Sequence, residues 1–129
     1  MGRMPDRALM QRVLDAWATL NPANVAPFYA KGENIFFDVD AKYERSEEYQ
    51  QGAAKLLADY KAATSAVNDD AKIYADGQYA WGTATVSFDM TRHSGKHDTG
   101  NMRWTVVWQQ QEDKWLIVHE HGSMPLKVV

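Results

Sequence analysis

From residue 78 onward the chain alternates. Between Gln78 and Thr91 the even positions are Ala80, Gly82, Ala84, Val86, Phe88 and Met90, and the odd ones begin Tyr79, Trp81, Thr83, Thr85 and Ser87. Strand side chains point to opposite faces with a period of two, so this run is a strand with one apolar face. The parity continues in Gly100–Gln111, with Met102, Trp104, Val106 and Trp108 on the even side. It continues again in Lys114–Gly122, with Leu116, Val118, Glu120 and Gly122. A shorter β-type run covers Ala71–Ala75. Turn signals stand between the runs: Asp76-Gly77, His93–Lys96 and Glu112-Asp113. Strands in this order predict an antiparallel meander with one face that must be covered.

The cover comes first in the chain. Leu9, Val13, Ala16, Trp17 and Leu20 recur at helical spacing. Asn21-Pro22 restarts the chain as an N-cap followed by proline at the first helical position, which predicts a short helix over Pro22–Ala30 that Pro27 disturbs. Asn34–Val39 is β-type. Ser46 reads as the N-cap of a third helix, with Glu47 and Glu48 in its first turn and Tyr49, Ala53, Leu56, Leu57 and Tyr60 as its apolar stripe. Helices followed by a meander predict an α+β fold with the helices on one face of the sheet.

Composition narrows the function classes. A chain of 129 residues without linkers or repeats is a single domain, 1–129. It has no cysteine, which excludes disulfides, thiol nucleophiles and zinc fingers. The net charge of −3 offers no basic field for nucleic acid. No apolar run is long enough for a membrane helix, and residues 1–12 lack the apolar core of a secretion signal, so a cytoplasmic address is expected.

Each face of the sheet carries its own signal. The even face is apolar except for Glu120, and its small residues predict room for a cavity. A carboxylate there costs free energy unless it is partnered or neutral. The odd face carries Trp81, Arg103, His119 and His121 among threonines, a mixture suited to a homodimer interface. His119 and His121 share a face, but a metal needs a third ligand and no Asp or Glu stands near them on that face, so no metal is expected.

Arg103-Trp104-Thr105-Val106-Val107-Trp108 and the run from Lys114 through His119-Glu120-His121 to Ser123 carry a resemblance to a known group. They resemble the end of the nuclear transport factor 2-like superfamily, in its SnoaL-like branch, and are similar also to the calcium/calmodulin-dependent kinase II association domain. The Asn21-Pro22 restart, Phe36-Phe37-Asp38, the Tyr49 helix and Asp76–Trp81 extend the resemblance over nearly the whole chain. It implies a cone-shaped curved antiparallel sheet wrapping three N-terminal helices, a hydrophobic pocket inside the cone, and subunit pairing through the outer face.

Carried over by position, Asp38 matches the general base of the ketosteroid isomerase branch. Glu120 matches a catalytic aspartate of the cyclase and epoxide hydrolase branches. Trp104 stands in place of the isomerase's oxyanion-hole aspartate. Val86, Val106 and Gly122 stand where the kinase domain has pocket arginines. Tyr29, Tyr43, Trp104 and Trp108 are candidate pocket walls. Two readings stay open. One is a cofactor-free acid/base enzyme, isomerase-, cyclase- or hydrolase-like, that uses Asp38 and Glu120 on a small hydrophobic molecule. The other is a non-catalytic ligand-binding or oligomerisation module.

Overall fold

The computed structural model describes residues 4–126. The helices are α1 (Arg7–Ala18), α2 (Pro22–Val25) and α3 (Ser46–Ala58), with a 3-10 turn over Ala26–Phe28. The strands are β1 (Phe36–Phe37), β2 (Lys42–Tyr43), β3 (Tyr60–Val67), β4 (Lys72–Asp76), β5 (Tyr79–Arg92), β6 (His97–Gln111) and β7 (Lys114–Ser123). They form one curved sheet in the order β2-β1-β7-β6-β5-β3, with β4 also on β5. All pairs are antiparallel except β1 with β7, which run parallel. The α+β cone expected from the sequence is the fold observed.

Local chemistry explains where the elements stop. Asp6 caps α1 by accepting from the Leu9 N–H at 2.8 Å. Asn21 caps α2 by accepting from Ala23 N–H at 3.0 Å. The second helix is shorter than expected: α geometry ends at Val25 and the 3-10 turn containing Pro27 follows, because proline has no N–H to continue the ladder. Ser46 is not the cap of α3 but its first residue. Its backbone N–H donates to Gly32 O at 2.9 Å, and its hydroxyl accepts from Asn34 Nδ2 at 3.0 Å. The expected strand over 34–39 contracts to two residues paired with β7.

Strand β3 was not expected. Its run of Lys, Ala, Thr and Ser lacks apolar alternation, and Tyr60 continues the helical stripe in sequence although α3 ends at Ala58. Helix α1 covers its free edge. Gln11 donates to Ser65 O at 3.0 Å and accepts from Val67 N–H at 2.9 Å, and Arg7 donates to Val67 O. Strands β3 and β4 follow one another along the same edge of β5, at residues 86–92 and 79–83. The β4–β5 turn is Gly77-Gln78, one residue later than expected, with Gly77 at φ +61°.

Strict parity fails in β7. Val107 pairs with His119 and Trp108 with Ile117, so Val118 has no partner position. This bulge changes which residues face inward. Trp115 and Ile117 are buried before it, and Glu120 and Gly122 after it. Leu116 and Val118, expected on the inner face, are only half-buried.

The small residues of β5 also act differently from expectation. A Cβ at Gly82 would meet Trp108, Ile73 and Met10 at 3.2–3.3 Å, so the space is filled by α1 and β6. The core is therefore solid at the Ala80–Ala84 end. The cavity lies toward the other end of the strands, against Val86, Phe88 and Met90.

Candidate functional site

The interior of the cone holds a cavity of about 330 Å³. Its apolar wall includes Leu14, Leu57, Val86, Phe88, Met90 and Met102, and its polar positions are Asp38, Tyr49, Tyr60, Ser65, Asp98 and Glu120. Trp17 and Trp104 supply aromatic surface.

Glu120 is only 6% exposed. Each of its oxygens accepts a hydroxyl: Tyr29 donates to Oε2 at 2.7 Å and Tyr49 to Oε1 at 2.5 Å. Trp17 Nε1 donates in turn to the Tyr29 oxygen at 3.1 Å. The Tyr49 ring stacks on Phe36 at 4.5 Å and meets Tyr29, Tyr43 and Trp17 at 5.4–6.1 Å. The carboxyl is thus clasped by side chains from the segment after the 3-10 turn and from α3, with Trp17 of α1 holding the Tyr29 hydroxyl. Burial raises its pKa from the ordinary 4.5, and a nearby Asp38 charge adds to the rise. The Tyr49 and Tyr29 hydroxyls and the Trp104 indole oppose it without cancelling it. Tyr29 and Tyr49 are themselves raised well above 10 by burial and by the Glu120 charge, so they stay protonated donors.

Asp38 is half-buried at the end of β1 and also reaches the cavity. Burial raises its pKa from 3.8, against the Val39 N–H that bonds its Oδ1 at 2.7 Å. The structure therefore brings the two expected carboxyl groups to one cavity.

The expected pocket walls divide. Trp104 lines the cavity. Tyr29 lies behind Glu120 as its donor rather than on the wall. Tyr43 and Trp108 are not among the residues that line this cavity. Tyr43 packs on Tyr49 and against Gly52, and Trp108 fills the solid core beside Gly82. Tyr49, Trp17 and an Asp98–Tyr60–Arg92 cluster were not singled out from sequence. At that cluster Tyr60 Oη and Arg92 Nε both donate to Asp98 Oδ2 at 2.7 Å. The available signal was general: a buried carboxylate needs donors, and a buried tyrosine hydroxyl needs an acceptor.

The outer face is as mixed as its composition. Tyr74 and Trp81 are 54% and 40% exposed and stack at 5.9 Å. Phe37 packs on His119 and His121, with ring centroids at 6.1 and 5.2 Å. His119 Nδ1 lies 2.6 Å from Ile35 O, and Arg103 donates to Ser123 Oγ at 3.1 Å and to Met124 O at 3.3 Å. Among the described residues no group of three His, Cys, Asp or Glu could hold a metal, and no helix is long and apolar enough to cross a membrane.

Known structures share this architecture. A nuclear transport factor 2-like superfamily protein from Salmonella enterica serovar Typhimurium is 20% identical, with 93% of this chain and 88% of that one covered and a TM-score of 0.83. A protein named for the calcium/calmodulin-dependent protein kinase II association domain, from Xanthomonas campestris, is 25% identical over 94% of this chain and 86% of that one, with a TM-score of 0.80. A protein of the nuclear transport factor 2-like family from Streptomyces avermitilis, named for dehydratase activity, is 15% identical over 95% of this chain and all of that one, with a TM-score of 0.79. No curated protein matches the chain. The model of the SnoaL-like domain matches residues 7–127, nearly the whole chain, and the chain belongs to the SnoaL-like domain family.

Proposed function

We propose that the protein is a cofactor-free acid/base enzyme with a cytoplasmic address, acting on a small hydrophobic molecule held in the cavity. One observation carries this reading: a buried carboxyl lines a largely apolar cavity while two tyrosine hydroxyls hold it in place. A raised pKa brings such a group closer to neutrality, where it can both take and give a proton. Glu120 and Asp38 are the proposed proton-transfer groups, Tyr29 and Tyr49 position Glu120, and Trp104 contacts the ligand. Removal of a proton next to a carbonyl, with a proton returned elsewhere, is the step shared by isomerisation, cyclisation and loss of water.

The test is hydrogen–deuterium exchange at the α-carbons of cyclic ketones such as tetralone, followed by NMR in heavy water. Wild-type protein should accelerate exchange, and Glu120→Gln should lower the rate by at least about 100-fold. Equal rates for the two proteins would overturn the assignment. The alternative, a non-catalytic binding or oligomerisation module, predicts no acceleration of exchange by the wild-type protein.

We also propose a homodimer through the outer face, with Trp81, Arg103, His119 and His121 in or beside the contact. The stacked Tyr74 and Trp81 support it, since a lone sheet face rarely exposes paired aromatics. Sedimentation should give twice the chain mass, and Trp81→Glu should give the monomer. A wild-type monomer at micromolar concentration would remove the dimer.

A further inference from the structure

The cavity wall has an unbalanced charge. Among the described residues, Asp38, Asp98 and Glu120 line it and no lysine, arginine or histidine does. The three acids differ in what already answers them. Asp98 is matched at its second oxygen by the Arg92 guanidinium and the Tyr60 hydroxyl. Glu120 is held by neutral hydroxyls, which satisfy its hydrogen bonds but supply no positive charge. Asp38 receives the Val39 N–H on Oδ1, and among the described residues nothing bonds its other oxygen. The cavity itself is the independent observation. These groups line a hollow of about 330 Å³ whose wall also includes Trp17 and Trp104, rather than forming a cluster on open surface.

We propose that the cavity selects a hydrophobic ligand bearing a protonated amine, with the cation between Asp38 and Glu120 and the apolar body against Leu57, Val86 and Met102. The proposal rests on the reading above that the cavity is the ligand site, and it names the class of ligand. An ammonium group supplies the counter-charge that the wall lacks, and a charge-assisted bond to a desolvated carboxylate is stronger than one between neutral groups. Trp17 and Trp104 on the wall add aromatic rings, and aromatic quadrupoles favour a cation over an anion. A ligand carboxylate in the same place would face Asp38 and Glu120, and like charges in a low-dielectric space repel strongly.

Three probes of one shape test the proposal: 2-naphthylmethylamine, 2-naphthylmethanol and 2-naphthoate, titrated by calorimetry at neutral pH. The amine should bind at least about tenfold more tightly than the alcohol, and the naphthoate more weakly than both. Asp38→Asn should remove most of the amine's advantage and change the alcohol's affinity far less. Naphthoate binding as tightly as the amine would overturn the proposal, as would an Asp38→Asn loss shared equally by amine and alcohol. Alcohol binding with no amine preference would reject the charge selection and keep the cavity as a ligand site. Failure of all three probes would reject both.

Discussion

Trp108→Ala is expected to destabilise the fold by about 3–5 kcal/mol, the range for deleting a large aromatic from a packed core. The side chain is 1% exposed and lies against Gly82, where α1 brings Met10 onto the sheet. Removing the indole leaves a void that neither the glycine nor the paired strands can fill. In a domain of this size the loss corresponds to a fall in Tm of about 10–20 °C. Trp108→Phe should recover more than half of it. Trp104→Ala removes a similar ring from the cavity wall, where space already exists, and should cost less. Urea unfolding of the three variants checks the order, and equal losses at 104 and 108 would contradict the division into a solid end and a hollow end.

The second large effect is a dependence on pH. Burial holds the Glu120 carboxyl above 4.5, so the folded protein keeps a proton that the unfolded chain has already released. The unfolded state therefore binds fewer protons over that interval, and unfolding becomes easier as pH rises through it. The slope from one such group is at most about 1.4 kcal/mol per pH unit. Below 4.5 both states are protonated and the group contributes nothing. Above its folded pKa the full cost of burying a charge applies. Asp38, raised from 3.8, acts with the same sign. Glu120→Gln removes the Glu120 part.

The variant's stability relative to wild type should therefore increase with pH above 4.5 and then level off. Superposed on this is a constant loss of about 1–3 kcal/mol, because the glutamine amide cannot accept from both tyrosine hydroxyls. Urea titrations from about pH 4 to about pH 8 read both parts. A wild-type-to-variant difference that does not change with pH would show that Glu120 titrates as an ordinary carboxyl.

The sequence made some parts of this molecule readable and hid others, for physical reasons. β5 and β6 are long, regular and covered on one side, so their alternation maps directly onto the inner and outer faces. β3 owes its place to pairing with β5 and to α1 side chains on its edge, neither of which leaves a mark in its own residues. Glu120 was visible because it is one acid on an apolar face. Its partners were not, because Tyr29 and Tyr49 lie 91 and 71 positions away along the chain. In a helical stripe, a tyrosine that donates to a buried carboxylate looks the same as one that only fills space. Tyr43 and Trp108 illustrate the converse: aromatic residues near a pocket in sequence terms that pack elsewhere.

Uniform alternation of β7 would permit two interiors only. One presents Trp115, Ile117, His119 and His121, and the other Leu116, Val118, Glu120 and Gly122. The unmatched Val118 shifts the phase between the halves and produces a third, with two large apolar residues followed by an acid and a glycine. One strand thereby seals the solid end of the cone and supplies an acid to the hollow end. Whether that hollow meets a carboxyl or a pair of imidazoles is decided by one residue of strand length, with no change in side-chain chemistry.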